Sequence, residues 1–127
     1  MNVKMIHTRT VFSLFMLFLA FSAIAGTPKT VFDRSAFYSA LAADDLESVN
    51  NQLAIVRSAS INEKEAYEGA LLMKKAGLVS KAKEKLSLFK AGRLKLEASI
   101  KKENGNAEFS FLRLIIQEHA PKAVNYR

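Results

Sequence analysis

The stretch SINEKEAYEGALLMKKAGLVSKAKEKL, Ser60–Leu86, decides how the chain is read. Ser60 and Glu63 fit the capping-box pattern Ser-x-x-Glu, in which two side chains satisfy backbone N–H groups left unpaired at a helix start. A helix over 62–76 follows, with Ala66, Tyr67, Ala70, Leu71 and Met73 inward at helical spacing. Gly77 stands where a left-handed residue ends a helix. A second helix is expected over 80–102, with Leu78, Ala82, Leu86, Phe89, Leu96 and Ile100 in one stripe. Arg93 falls in that stripe and would have to snorkel. Gly92 sits in its middle, where glycine costs about 1 kcal/mol against alanine. It marks either a close approach by another helix or a break. The short connection makes the two helices antiparallel.

The same signals extend in both directions. Upstream, Thr30 or Asp33 can cap a helix over 33–43 with Ala36, Phe37, Ala40 and Leu41 inward. Asp44-Asp45 precede another over 46–58, striped by Leu46, Val49, Leu53 and Val56. Downstream, Gly105 ends the long helix, Asn106 can cap a fifth, and Pro121 stops it after His119. No strand-like alternation persists. The expected fold is all-α: about five helices in antiparallel hairpins, the first with the second and the third with the fourth. The fifth is left without a sequential partner.

Residues 1–25 are read as a signal peptide. Lys4 and Arg9 give a basic start, and Val11–Ala25 is an apolar run shorter than the ~20 residues that span a bilayer. Ala23 and Ala25 are the small residues of a cleavage site after Ala25. The competing reading is an uncleaved anchor. A lead-in over 26–32, a helical domain over 33–120 and a tail over 121–127 complete the division. Export, to the periplasm or the medium, is expected. The chain has no cysteine, which excludes disulfides, a thiolate nucleophile and lipoprotein-type attachment.

Ala70, Gly77, Ala82 and Leu86 resemble the small and large packing positions of a tetratricopeptide-like helical pair. SIKKENGNAEFSFLRL, Ser99–Leu114, is similar to the step between two such repeats, although Asn104 stands where proline is usual. The long helix exceeds one repeat by about ten residues. The block GALLMKKAGL…KLEASI…NAEFSFLRLIIQEHAPK also resembles a group of small exported bacterial proteins without assigned function. That resemblance implies an exported, stacked all-helical array and no activity. It also implies further helical sequence beyond the Ala120-Pro121-Lys122 segment, so this chain reads as a short version.

Catalytic and metal chemistry find little to work with. Past the leader the only histidine is His119, and Glu118 beside it points about 100° away on a helix. Asp44-Asp45 and Glu63/Glu65 show no ligand spacing, and no hydrolase, zincin or phosphate-loop motif occurs. No cofactor, metal or enzymatic activity is expected. From Lys74 to Lys102, ten basic residues stand against Glu84 and Glu97. Lys83, Lys90, Arg93 and Lys101 form either a solvated face or a surface for anionic lipid or an acidic partner. Nucleic acid is disfavoured, because the expected compartment lies outside the cytoplasm.

The fifth helix carries Phe109, Phe111, Leu112, Leu114, Ile115 and Ile116, apolar on nearly every side. Such a helix is either central, clasped from both sides, or left open along one side for a partner. Phe109, Phe111, Leu112, Ile115 and Ile116 are the candidate partner-binding residues, for a protein, a peptide or a second copy. The functional expectation is an exported non-catalytic interaction module of the bacterial envelope. The alternative is a peripheral envelope protein held to anionic lipid or an acidic partner by the basic helix over 80–102.

Overall fold

The computed structural model describes residues 31–126; the signal-peptide segment and most of the lead-in lie outside them. Side-chain caps start three of the five helices. Asp33 accepts from the Ser35 N–H ahead of α1 (Arg34–Ala42), and Asp45 accepts from the Glu47 and Ser48 N–H groups ahead of α2 (Leu46–Ser58). Asn106 does the same for Glu108 and Phe109 at the start of α5 (Ala107–His119). Between them lie α3 (Lys64–Leu78) and α4 (Ala82–Lys102), neither with a side-chain cap. The expected capping box does not form. The N-cap of α3 is Glu63, which leaves Ser60 three residues too early to reach the first-turn N–H groups.

Gly77 corrects a second expectation. The helix runs through it to Leu78 and stops at Val79 in an extended conformation. The left-handed stop is at Gly105 instead, where φ is +98°.

Among the described residues there are helices and no strands. The pairing of α3 with α4 is the most extensive contact, and α3 touches all four other helices. Two glycines make that pairing close. A Cβ on Gly69 would lie 2.7 Å from the Gly92 carbonyl oxygen, and one on Gly92 would lie 2.5 Å from that of Gly69. Gly92 therefore marks a close approach within an unbroken helix. Around this crossing the core closes over Phe37, Val49, Val56, Tyr67, Leu71, Leu96, Phe109 and Leu112.

The central element is thus α3, not α5. Residues Ala66–Met73 are buried without interruption, because α2, α4 and α5 cover them from different sides. In α5 only Phe109, Leu112 and Ile116 are buried, one stripe at spacings of three and four. Phe111 and Leu114 are each 51% exposed. The long helix α4 also buries less than its stripe promised: Leu86 is 50% exposed and burial begins at Phe89. Its first two turns extend alongside a groove, not into the core.

The last residues fold back. A 3-10 turn at Lys122–Val124 is followed by Asn125 at φ +45°, which turns Tyr126 inward. Tyr126 is 4% exposed and packs edge-on against Phe89, so the expected tail contributes a core residue.

Candidate functional site

Three surfaces and two polar clusters carry the chemistry of the described residues. The first cluster centres on Glu108, in the first turn of α5. Its Oε1 accepts from the Tyr67 hydroxyl at 2.7 Å and the Tyr38 hydroxyl at 3.1 Å, and the Arg34 Nε lies 3.2 Å away. Burial first, and the Glu108 carboxylate second, push the Tyr67 hydroxyl up to about 12. Tyr38 is raised as well, with burial as the leading cause. This cluster ties α1, α3 and α5 together. These carboxylate contacts are all to side chains of α1 and α3.

The second cluster surrounds Glu68 on α3. Arg57 Nε donates to it at 2.7 Å, and Lys95 Nζ lies 3.3 Å away while also reaching Glu65 at 2.6 Å. Burial alone would raise the Glu68 carboxyl, but the two cations outweigh it and hold it below the ordinary carboxylate range. Both clusters are structural ties. Sequence reasoning missed them because the carboxylates and their partners lie far apart in the chain, Arg57 and Glu68 by 11 residues and Tyr38 and Glu108 by 70.

The candidate partner-binding residues separate. Phe109, Leu112 and Ile116 pack into the chain's own core, which removes them from the outward face of α5. Ile115 is partly buried. Phe111 remains outward, its ring 6.0 Å from that of Tyr38, and Leu114 one turn on extends the same face. Leu114 belongs among the candidates on its exposure.

The basic residues Lys83, Lys90, Arg93 and Lys101 are all exposed. Among the described residues none of them forms an ion pair, whereas Lys95 and Lys74 do. Arg93 does not snorkel out of the core; its guanidinium lies over the Tyr126 ring, 5.0 Å from the centroid.

The third surface was not anticipated. A groove of about 410 Å³ runs between the C-terminal half of α3 and the first turns of α4, closed by the end of α5 and the folded-back tail. Met73, Ala76, Leu86, Phe89, Ile116 and Val124 make its walls apolar. Its polar rim is Asp44, Lys74, Lys85 and His119. Lys74 Nζ donates to Asp44 at 2.9 Å, and His119 Nδ1 is bonded to the Ile115 carbonyl at 2.8 Å.

Among the described residues no three His, Asp or Glu side chains converge as a metal site would require, and no helix is long and apolar enough to cross a membrane. No protein family, curated protein or solved structure matches the chain.

Proposed function

We propose that the chain is an exported, non-catalytic helical interaction module of the bacterial envelope. Its docking surface is the outward face of α5, and its occupant is an amphipathic helix of another protein. The observation that carries this is the pair Phe111 and Leu114, half-exposed one turn apart beside Tyr38. In a tetratricopeptide-like stack each helix is covered by its hairpin partner. Here α1 precedes α2 and α3 precedes α4 across short turns, while among the described residues no α-helix follows α5 as such a mate. A partner helix laid along α5 supplies it, burying two large apolar side chains of the kind that anchor interfaces. The basic start and small-residue cleavage pattern of residues 1–25 support export.

Two measurements test this. Light scattering on size-exclusion eluate, at two concentrations and two salt levels, should give a monomer. A dimer that survives high salt assigns the face to a second copy instead. A photo-cross-linking residue placed at Phe111 in the native host should then trap one envelope protein. Cross-linker at exposed Glu84 should not trap it. Equal trapping at both positions, or none at Phe111, rejects the docking surface.

A second reading has its own support, in Lys83, Lys90, Arg93 and Lys101 on α4, which form no ion pair among the described residues. Attachment to anionic lipid through them weakens steeply with ionic strength, whereas docking through Phe111 does not.

A further inference from the structure

The groove between α3, α4 and the tail has a use that docking on α5 leaves unexplained. Its walls come from four chain segments, and its volume of about 410 Å³ falls in the range of small-molecule sites. An α-helix, ~10–12 Å across with its side chains, would rest on such a rim and leave the interior empty. An unbranched alkyl chain would fill it. The apolar walls gain nothing from a polar guest, and each methylene moved from water into them is favourable.

The rim then selects the head group. Lys85 stands at the α4 edge without an ion pair among the described residues. Across the groove, Lys74 keeps a side chain only 14% exposed, its ammonium satisfied by the 87% exposed carboxylate of Asp44. An incoming anion can share that ammonium. His119 commits Nδ1 to the Ile115 carbonyl, which leaves Nε2 as its other polar atom at the rim. Among the described residues Asp44 is the sole carboxylate lining the groove, and it is already paired. A cationic head would meet two lysines; an anionic one would meet two ammonium donors.

We infer that this groove binds a monomeric single-chain anionic amphiphile of the fatty-acid class. The alkyl chain lies against Phe89, Leu86 and Ile116, and the carboxylate sits between Lys85 and Lys74. This inference uses neither Phe111 nor Leu114 and stands or falls separately from the docking proposal.

The test is calorimetric titration of protein purified after expression of the complete chain. Decanoate and decylamine, each kept below its micelle concentration, are the two probes. Decanoate should bind saturably with one site per chain and raise the melting temperature. Decylamine should bind at least about tenfold more weakly. Lys85→Glu, on an exposed residue outside the core, should weaken decanoate about tenfold. Leu86→Glu, also exposed, should abolish binding, while the distant Lys101→Glu should leave it unchanged. Equal affinity for the two head groups overturns the assignment, as does indifference to both groove variants. Binding to anionic vesicles that Lys101→Glu weakens, with no decanoate binding, assigns the basic face to a membrane and leaves the groove without a ligand of this class.

Discussion

Gly69 and Gly92 act at the scale of single atoms. By helix propensity alone, alanine at either position would favour the helix by about 1 kcal/mol. Sterics decide otherwise. The atoms a new Cβ would meet at Gly69 are the Gly92 carbonyl oxygen at 2.7 Å and the Leu96 nitrogen at 2.8 Å. Both are backbone atoms and have no rotamer to change, so α3 and α4 must separate. Separation loosens Leu96 and Met73, which are buried at the crossing. Overpacking of this kind costs about 1–3 kcal/mol, more than propensity returns. Gly77 gives the opposite case. It is exposed and helical, and a Cβ there meets nothing within 4 Å. Urea titrations should therefore show Gly92→Ala and Gly69→Ala destabilised by about 1–3 kcal/mol, and Gly77→Ala stabilised by up to about 1 kcal/mol. A destabilised Gly77→Ala would restore the left-handed stop that the sequence suggested. A neutral Gly92→Ala would mean that the two helices are not in close contact.

Elements were largely legible because their ends carry local signals. Asp33, Asp45 and Asn106 each lie beside the N–H groups they satisfy, so caps and apolar periods place α1, α2 and α5 without tertiary knowledge. What a helix buries against is not local. The apolar content of α5 suggested a central helix, yet centrality went to α3, whose small residues admit close neighbours. Gly69 was illegible for a related reason: nothing local marks it, and only the facing Gly92 gives it meaning. Of the candidate site, Phe111 was legible only as one of a set with Phe109, Leu112, Ile115 and Ile116, because apolar content does not say which side of a helix is covered. The groove was not, because it is formed by Leu86 and Lys85 of α4 with residues far along the chain. The tail was missed because one aromatic residue has no period. Tyr126 packs on Phe89 at 5.6 Å, lies beneath Arg93, and donates to Glu97 at 2.5 Å. Tyr126→Ala should cost about 3 kcal/mol, the low end for truncating a core aromatic. Tyr126→Phe should cost about 1 kcal/mol, the worth of its hydrogen bond. Thermal melts of the two variants check the ratio; equal losses would mean that ring packing contributes nothing beyond the hydroxyl.

At the scale of the whole molecule, the shifted groups divide into two sets that bound one pH window. Arg57 and Lys95 overcome burial to hold Glu68 low, Lys74 lowers Asp44, and Ser48 lowers Asp45. A carboxyl held low in the folded state contributes stability above its unfolded value, ~3.9 for Asp and ~4.3 for Glu. That contribution is lost as pH falls through the lower folded value. Burial, reinforced by Glu108 or Glu97, raises Tyr38, Tyr67 and Tyr126. A raised hydroxyl contributes fully below its unfolded value of ~10, and the contribution is lost as pH rises through the folded value. For Tyr67 that loss runs to about 12. The melting temperature should therefore be level between about pH 5 and pH 10 and fall on both sides. The two flanks should respond to different substitutions. Glu68→Gln should lower the plateau and flatten the acid flank, because its neutral amide no longer titrates against Arg57 and Lys95. Tyr67→Phe should flatten the alkaline flank and leave the acid one intact, since Glu108 keeps Tyr38 as a donor and Arg34 as an ion-pair partner. Melts from pH 3 to 12, with tyrosinate absorbance followed alongside, separate these effects. An alkaline flank unchanged by Tyr67→Phe would mean that the phenol joining α1, α3 and α5 is solvated, and that the Glu108 cluster does not tie the array together.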